Sequence, residues 1–194
     1  MTGFDVQQFR QQFAFFQQQP DWVYLDNAAT MHKPDAVIDA VSAFYQRHNS
    51  NVHRGAHQLS QQATAQFEQA RATVAGYINA RHNHEVIFTS GATAALNQIA
   101  FGLMHTVLQP DDRILLTQLE HHANIVPWQL HCQRHGIIID VVPLTAEHQL
   151  DLNAYQQLLA LKPKLVAFSH ISNVLGHIQP AAELIALAKA AGAI

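Results

Sequence analysis

Cysteine is almost absent from this sequence, and charged residues are sparse. Cys132 is the only cysteine, which excludes a disulfide within the printed chain and any cysteine-cluster metal site. Charged residues make up only 13% of the chain and the formal net charge is −3, so no broad basic surface predicts binding to nucleic acid. No apolar run reaches signal-peptide length near Met1 or the roughly 20 residues of a membrane span. This composition is typical of a globular protein without a membrane partner, and we expect a cytoplasmic location.

Apolar periodicity predicts alternating helices and strands. The predicted helices cover residues 34–45, 58–80, 93–108, 124–135, 152–161 and 181–191, and the predicted strands cover residues 85–89, 113–117, 137–142 and 164–168. Strands separated by helices favour an α/β fold with a three-layer, parallel-rich sheet. Gly192 is typical of a helix C-cap, and Ala193 and Ile194 resemble the start of a further buried strand. We therefore expect the fold to be truncated.

Three polar turns follow predicted strands, and each turn is expected at the carboxyl edge of the sheet, where open α/β sheets bind ligands. The first turn, Thr89 to Thr93, precedes a helix whose N-terminus favours an anion such as phosphate. An ordinary strand-to-helix turn with Thr93 as a cap is the alternative interpretation. The second turn contains Glu120, His121 and His122. A histidine there can stack on a flat cofactor or transfer protons, or it can be a solvated loop residue.

A metal site at His121 and His122 is disfavoured, because neighbouring residues on a loop point apart and helical ligands are spaced i, i+4. In the third turn, the Asn173 amide can hold a phenolate-like oxygen or a carboxylate. Arg54, in the segment from Asn51 to Gly55, is a candidate anion-binding residue or a surface ion-pair partner.

Four segments closely resemble a known family. They are Tyr24-Leu25-Asp26-Asn27-Ala28-Ala29-Thr30, Asn51-Val52-His53-Arg54-Gly55, Glu120-His121-His122-Ala123-Asn124-Ile125-Val126-Pro127-Trp128 and Ser172-Asn173-Val174-Leu175-Gly176. Together they resemble the fold-type I cysteine desulfurases that depend on pyridoxal phosphate, in the class V aminotransferase superfamily. The similarity is nearest to the iron–sulfur assembly and cysteine sulfinate desulfinase group, and it extends from about Phe4 to Ile194.

The resemblance implies a role for each matched residue. Ala92 and Thr93 are expected to hold the phosphate of pyridoxal phosphate, His121 to stack on its ring as the catalytic histidine, and Asn173 to bind its ring hydroxyl. Asn27, Ala28 and Ala29 are expected to border the amino-acid pocket, and His53 and Arg54 to line the substrate entrance. The resemblance also divides the chain into an N-terminal segment, residues 1–50, and an incomplete cofactor-binding large domain, residues 51–194.

Two departures from the family pattern are visible. Ser90, Ala92 and Ala94 stand where the family usually has Arg, Thr and Glu, so one hydroxyl donor to the phosphate is missing. The resemblance also places the Schiff-base lysine, the nucleophilic cysteine and the substrate-binding arginine beyond Ile194. None of the four lysines present lies in a suitable context, and Cys132 is expected to be a buried or half-buried helix residue.

The resemblance therefore implies the N-terminal portion of an enzyme that converts L-cysteine to L-alanine and retains the sulfur as a persulfide. We expect this portion alone to be inactive. The complete enzyme is expected to be a homodimer that delivers sulfur to an acceptor protein. The alternatives are another class V enzyme, kynureninase-like or epimerase-like, and a non-catalytic remnant.

Overall fold

The computed structural model describes residues 3–194, and these residues form two compact units. The first unit extends to Ile87 and the second begins at Phe88. Each unit is described by itself below. The domain boundary predicted between residues 50 and 51 concerns the organisation of the complete fold, and it stays a prediction.

The first unit is helical. Its elements are α1 (Val6–Arg10), α2 (Ala14–Gln18), α3 (Asp35–Ala43), a π-helical turn (Phe44–His48), α4 (Gln58–Tyr77) and a 3-10 turn (Asn83–Glu85). The helices near 34–45 and 58–80 are confirmed, although α4 ends at Tyr77. The two short helices α1 and α2 were not anticipated. Asp5 caps α1 by accepting hydrogen bonds from the backbone N–H groups of Gln7 and Gln8, both at 3.0 Å.

The second unit alternates helices and strands. Its helices are α5 (Ala92–Thr106), α6 (Val126–His135), α7 (Leu152–Leu159) and α8 (Ala181–Ala190), and its strands are β1 (Arg113–Thr117), β2 (Ile138–Val142) and β3 (Leu165–Ala167). A 3-10 turn, His122–Asn124, precedes α6. The predicted helices and the last three predicted strands are confirmed to within two residues at almost every boundary. α6 begins two residues late because the 3-10 turn occupies its predicted start, and Pro127 is accommodated in its first turn, where no N–H partner is needed.

The three strands form a parallel sheet in the order β2-β1-β3. Side chains alternate between the two faces of β1, as the pleat requires. Ile114 and Leu116 pack on one face with α5 and α6, and Leu115 packs on the other with α7 and α8. The α/β, three-layer, parallel arrangement expected from the sequence is therefore confirmed.

The order of the strands creates a crevice at the carboxyl edge. The chain passes from β1 outward to β2 and then crosses back to β3 on the other side of β1. The connections that leave β1 and β3 therefore diverge, since α6 packs on one face of the sheet and α8 on the other. Such a reversal of strand order is where open α/β sheets bind ligands.

The predicted strand at residues 85–89 is wrong in this structure. Glu85 closes a 3-10 turn, and residues 86–89 belong to none of the three strands of the described sheet. Val86 has extended backbone angles, in keeping with its β propensity, but a strand also requires a neighbour for its hydrogen bonds. Both sides of the central strand are already occupied by β2 and β3.

The predicted C-cap at Gly192 is confirmed by its positive φ of 85°. The Ile194 N–H donates to the Lys164 carbonyl at 3.0 Å, and the Ile194 carbonyl accepts from the Val166 N–H at 2.9 Å. These paired bonds extend the sheet beyond β3, as expected for the start of a strand.

Candidate functional site

A buried carboxylate crosses the crevice between the ends of β1 and β3. Glu120, three residues after β1, is 9% exposed. Its Oε1 accepts hydrogen bonds from the Thr117 hydroxyl and, at 2.9 Å, from the Ser169 N–H. Its Oε2 accepts from the Asn124 amide at 2.7 Å and from the Ser169 hydroxyl at 2.8 Å. The network joins the loops that follow β1 and β3.

The network continues into the core through a tryptophan. The Asn124 Oδ1 accepts a hydrogen bond from the Trp128 indole N–H at 3.0 Å, and Trp128 is only 2% exposed. This second bond fixes the orientation of the Asn124 amide, because its oxygen faces Trp128 and its NH₂ faces Glu120.

His121 directly follows Glu120 in the chain, and its ring is exposed. The His121 Nδ1 accepts a hydrogen bond from the Ala123 N–H at 3.1 Å, so the ring caps the following 3-10 turn. With Nδ1 used as an acceptor, the neutral ring carries its proton on Nε2. The His122 ring is 6.2 Å from the His121 ring and inclined to it by 74°.

Asn173 lies at the tip of a tight loop after β3. The loop closes with an antiparallel bridge between Ile171 and Ile178, and the buried Ser172 hydroxyl accepts from the N–H of Leu175 at 3.1 Å. Gly176 adopts a φ of 70°, a left-handed conformation that glycine tolerates best. The Asn173 side chain is exposed and makes no hydrogen bond to another described residue, so its amide is free to bind a ligand.

Ala92 and Thr93 form the first turn of α5, and both are exposed. No side chain caps this helix, because Gly91 occupies the N-cap position, and a Cβ built on Gly91 would meet no atom within 4 Å. The first N–H groups and the Thr93 hydroxyl are therefore accessible, which fits a phosphate group. α5 also packs against the His122–Asn124 turn.

The residues assigned to the substrate side lie in the first unit. Asn27, Ala28 and Ala29 form an exposed turn that begins at Asp26, whose carbonyl accepts from the Ala29 N–H at 3.1 Å. The Tyr24 hydroxyl closes the turn by donating to the Thr30 carbonyl at 2.7 Å.

His53 and Arg54 occupy an exposed turn before α4. The turn is held by Ser60, whose hydroxyl donates to the Asn51 carbonyl at 2.6 Å and accepts from the Gly55 N–H at 3.0 Å. A Cβ at Gly55 would lie 2.6 Å from the Ser60 side chain, so this contact requires glycine. The His53 Nε2 is 2.9 Å from a Glu68 carboxylate oxygen, while Arg54 has no ion pair among the described residues.

The cysteine and lysines of the second unit lie away from this edge. Cys132 is 3% exposed on α6, and burial raises the pKa of its thiol to about 11, which suits a core residue rather than a nucleophile. Lys162 and Lys164 stand before β3, at the opposite edge from His121, and Lys189 lies in the last turn of α8.

Among residues 3–194, no group of three or more His, Cys, Asp or Glu side chains is placed to hold a metal ion. Across the same residues, no helix combines the length and apolarity that crossing a membrane requires.

The chain belongs to the aminotransferase class-V family, whose profile matches residues 23–194. Pyridoxal phosphate, the cofactor predicted from the sequence, is the cofactor of this family.

The curated relatives are cysteine desulfurases. A probable cysteine desulfurase of Vibrio cholerae is 49% identical over 172 residues, which are 89% of this chain and 43% of the relative. A cysteine desulfurase of Synechococcus elongatus is 44% identical over 99% of this chain and 31% of its own length. The chain thus spans less than half of the length of these relatives.

Solved structures give the same result. The apo cysteine desulfurase of Thermococcus onnurineus superimposes with a TM-score of 0.90 at 35% identity, covering 100% of this chain and 47% of that chain. The S-sulfonic acid form of an Escherichia coli cysteine desulfurase gives a TM-score of 0.85 at 36% identity, covering 100% of this chain and 48% of that chain. The resemblance expected from the sequence motifs is confirmed.

Sequence reasoning missed the part that Glu120 and Ser169 play at this edge. No role is predicted from the sequence for Glu120, and none for Ser169. A signal was available, because a carboxylate three residues beyond a buried strand, with Asn four positions later, predicts a satisfied buried acid. The partner 49 residues away in sequence could not be identified without the topology.

Proposed function

We propose that the carboxyl edge of the sheet binds pyridoxal phosphate and that this chain is the N-terminal part of a cysteine desulfurase. The observation that carries the proposal is the arrangement of His121, an exposed ring fixed at the crevice between β1 and β3. The open N-terminus of α5 and the free amide of Asn173 support it, since they offer donors for a phosphate and a ring oxygen.

In this proposal each residue binds or orients the cofactor. The Thr93 hydroxyl and the backbone N–H groups of Ala92 and Thr93 would donate to the cofactor phosphate. His121 would stack on the pyridine ring and hold a proton at Nε2, and Asn173 would donate to the ring hydroxyl. When bound, pyridoxal phosphate supplies an electron sink for the substrate amino acid.

The residues of the first unit form the substrate side of the proposal. Asn27, Ala28 and Ala29 border the amino-acid pocket, and Arg54 at the entrance attracts a carboxylate. His53 must leave Glu68 to contact substrate, because that carboxylate holds its Nε2 in this structure.

The reaction proposed for the complete enzyme converts L-cysteine to L-alanine and retains the sulfur as a persulfide for an acceptor protein. We further propose that the enzyme is a cytoplasmic homodimer that serves iron–sulfur assembly, and that the 194-residue chain alone is inactive. The three lysines of the second unit and the buried Cys132 support inactivity, since none of them lies at the sheet edge that carries His121. The names of the relatives favour a desulfurase over a kynureninase-like or epimerase-like activity.

The test compares two adjacent histidines in the full-length protein supplied with pyridoxal phosphate and L-cysteine. We expect His121→Ala to lower alanine formation by about 10²-fold, the usual scale for a proton-transfer residue, and His122→Ala to lower it far less. Equal losses in the two variants would show that His121 has no special role. Absence of alanine formation in the wild-type enzyme would contradict the desulfurase activity itself.

A further inference from the structure

We propose that Glu120 is a positioning residue, whose buried carboxylate ties together the two loops that present His121 and Asn173 and thereby fixes the tautomer of His121. The inference rests on the proposed function, because it takes these two loops as the walls of the cofactor site. Glu120 itself is buried behind them and contacts no reacting group.

Glu120 is the acceptor in all four of its side-chain hydrogen bonds. Each Glu120 carboxylate oxygen accepts two bonds, and all the donors belong to Thr117, Asn124 and Ser169. A carboxylate is the side-chain group that offers four acceptor positions and no donor. Among the described residues, no lysine or arginine forms an ion pair with Glu120, so the charge is satisfied by neutral donors alone.

Glu120 is connected to the His121 ring through Asn124. Glu120 holds Asn124, and the Asn124 N–H donates to the His121 carbonyl at 2.8 Å. This bond closes the 3-10 turn whose Ala123 N–H points at the His121 Nδ1. Removing the Asn124 anchor loosens the turn and frees Nδ1 to take up the proton.

Glu120 also bonds Ser169, in the loop that follows β3 and carries Asn173. Ser169 gives both its N–H and its hydroxyl to Glu120, and it stands four residues before Asn173. One side chain after β1 therefore fixes the exit of β3, across the point where the strand order reverses. Loss of the carboxylate releases both loops together.

Glutamine tests this arrangement because it keeps the shape of Glu120 while it replaces one acceptor oxygen with an NH₂ donor and removes the negative charge. In Glu120→Gln, the new NH₂ group faces either the NH₂ of Asn124 or the backbone N–H of Ser169, both of which are donors. If Asn124 turns its oxygen toward the glutamine, the Trp128 indole N–H loses its acceptor at a site that is 2% exposed. Either arrangement leaves one buried donor unsatisfied.

The measurement is made on the full-length protein without added cofactor. Selective ¹⁵N-histidine labelling, with the His121 signal assigned from a His121→Gln variant, reports the tautomer. We expect the Nε2–H form in the wild type and a mixture of both tautomers in Glu120→Gln. Hydrogen exchange measured by mass spectrometry should rise by about tenfold or more in segments 121–125 and 169–176, the change that one lost buried hydrogen bond can produce.

Tyr155→Phe is the matched control, because it removes a buried hydrogen bond on the opposite face of the sheet. It should lower stability without changing the His121 tautomer. If it changes the tautomer as much as Glu120→Gln, the effect is one of general stability and the positioning role is wrong. An unchanged tautomer and unchanged exchange in Glu120→Gln also overturn it.

Ser169→Ala keeps the backbone bond to Glu120 and removes only the hydroxyl, so it provides a milder variant if Glu120→Gln does not fold. It should accelerate exchange in both segments by a smaller factor, and acceleration confined to 169–176 would contradict the bridge. A separate titration with pyridoxal phosphate distinguishes the two proposals. Altered loops in Glu120→Gln, together with no cofactor binding by the wild type, would refute the proposed function and leave the positioning role intact.

Discussion

The two units of this chain differ in how much of their apolar side chains is exposed. In the second unit, Leu115 and Tyr155 are 1% and 0% exposed, and both faces of the sheet are covered by helices. In the first unit, Leu25 and Tyr77 are 87% and 91% exposed. The second unit therefore has a closed core around its sheet, although it also exposes Val174 and Ile178, whereas the first unit mainly presents apolar surface of the kind that usually meets another protein surface.

The residues proposed for the cofactor and those proposed for the substrate belong to different units. The residues assigned to the cofactor, His121 and Asn173, stand on loops anchored in the self-contained unit. The residues assigned to the substrate side, including His53 and Arg54, stand on exposed turns of the other unit. A cofactor site benefits from rigid support, since small displacements of a positioned group cost much of its effect.

The largest expected effect is a core truncation in the second unit. Leu116→Ala should lower the free energy of unfolding by about 2–5 kcal/mol, because Leu116 is 2% exposed within the cluster formed with α5 and α6. Urea denaturation followed by circular dichroism of the full-length protein measures the loss.

Leu25→Ala is the corresponding change in the first unit, and it should alter the free energy of unfolding by no more than about 0.5 kcal/mol. A loss at Leu25 as large as that at Leu116 would break the comparison. It would show that Leu25 is buried in solution by a surface outside residues 3–194.

A pair of tyrosines gives a smaller effect. The Tyr155 hydroxyl donates to the Leu184 carbonyl at 2.8 Å in the core, so Tyr155→Phe leaves that carbonyl without a partner. The expected loss of unfolding free energy is about 1–3 kcal/mol. The Tyr24 hydroxyl bonds the Thr30 carbonyl at 2.7 Å, but Tyr24 is half-buried and water can replace the hydroxyl.

Tyr24→Phe should therefore cost less than about 1 kcal/mol in the same urea titration. The two variants remove the same atom, so they differ only in the surroundings. A larger loss for Tyr24→Phe would mean that the Asp26–Thr30 turn supports more of the fold than its exposure indicates.

The sequence predicted most of the second unit because local signals and tertiary packing agree there. β1 was predicted with its observed bounds, since a short apolar run between polar residues is typical of a buried strand. Gly136 marked the end of α6 and adopts the left-handed C-cap conformation, with a φ of 68°. His121 and Asn173 were predicted at the correct edge because parallel strands all end on the same side.

The sequence predictions failed where hydrogen-bonding partners are distant in the chain or where a helix is too short to show a periodic pattern. Residues 86–89 have strand propensity but lie outside the three-stranded sheet, because strand propensity alone does not decide which segments pair. The two turns of helix before Pro20 were missed because five-residue helices carry too little periodicity to recognise. The bond between Glu120 and Ser169 depends on strand order, which local sequence does not encode.

The smallest expected effect concerns Cys132 and alkaline pH. Burial raises the pKa of this thiol from an ordinary value of 9.0 to about 11. Between these two pH values the unfolded chain loses the thiol proton while the folded chain keeps it, so the unfolded state binds fewer protons. Stability must then fall as pH rises through this window and be unaffected by Cys132 below it.

Replacing Cys132 with alanine removes this contribution. The wild-type protein should lose more unfolding free energy than Cys132→Ala between about pH 8 and about pH 10, by up to about 1.4 kcal/mol. Comparing the two slopes cancels the lysines and tyrosines that also titrate there, including Tyr155, whose pKa burial raises to about 12. Equal slopes of unfolding free energy against pH in the two proteins would mean that water reaches the thiol in the folded state. The core around α6 would then be looser than the 3% exposure of Cys132 implies.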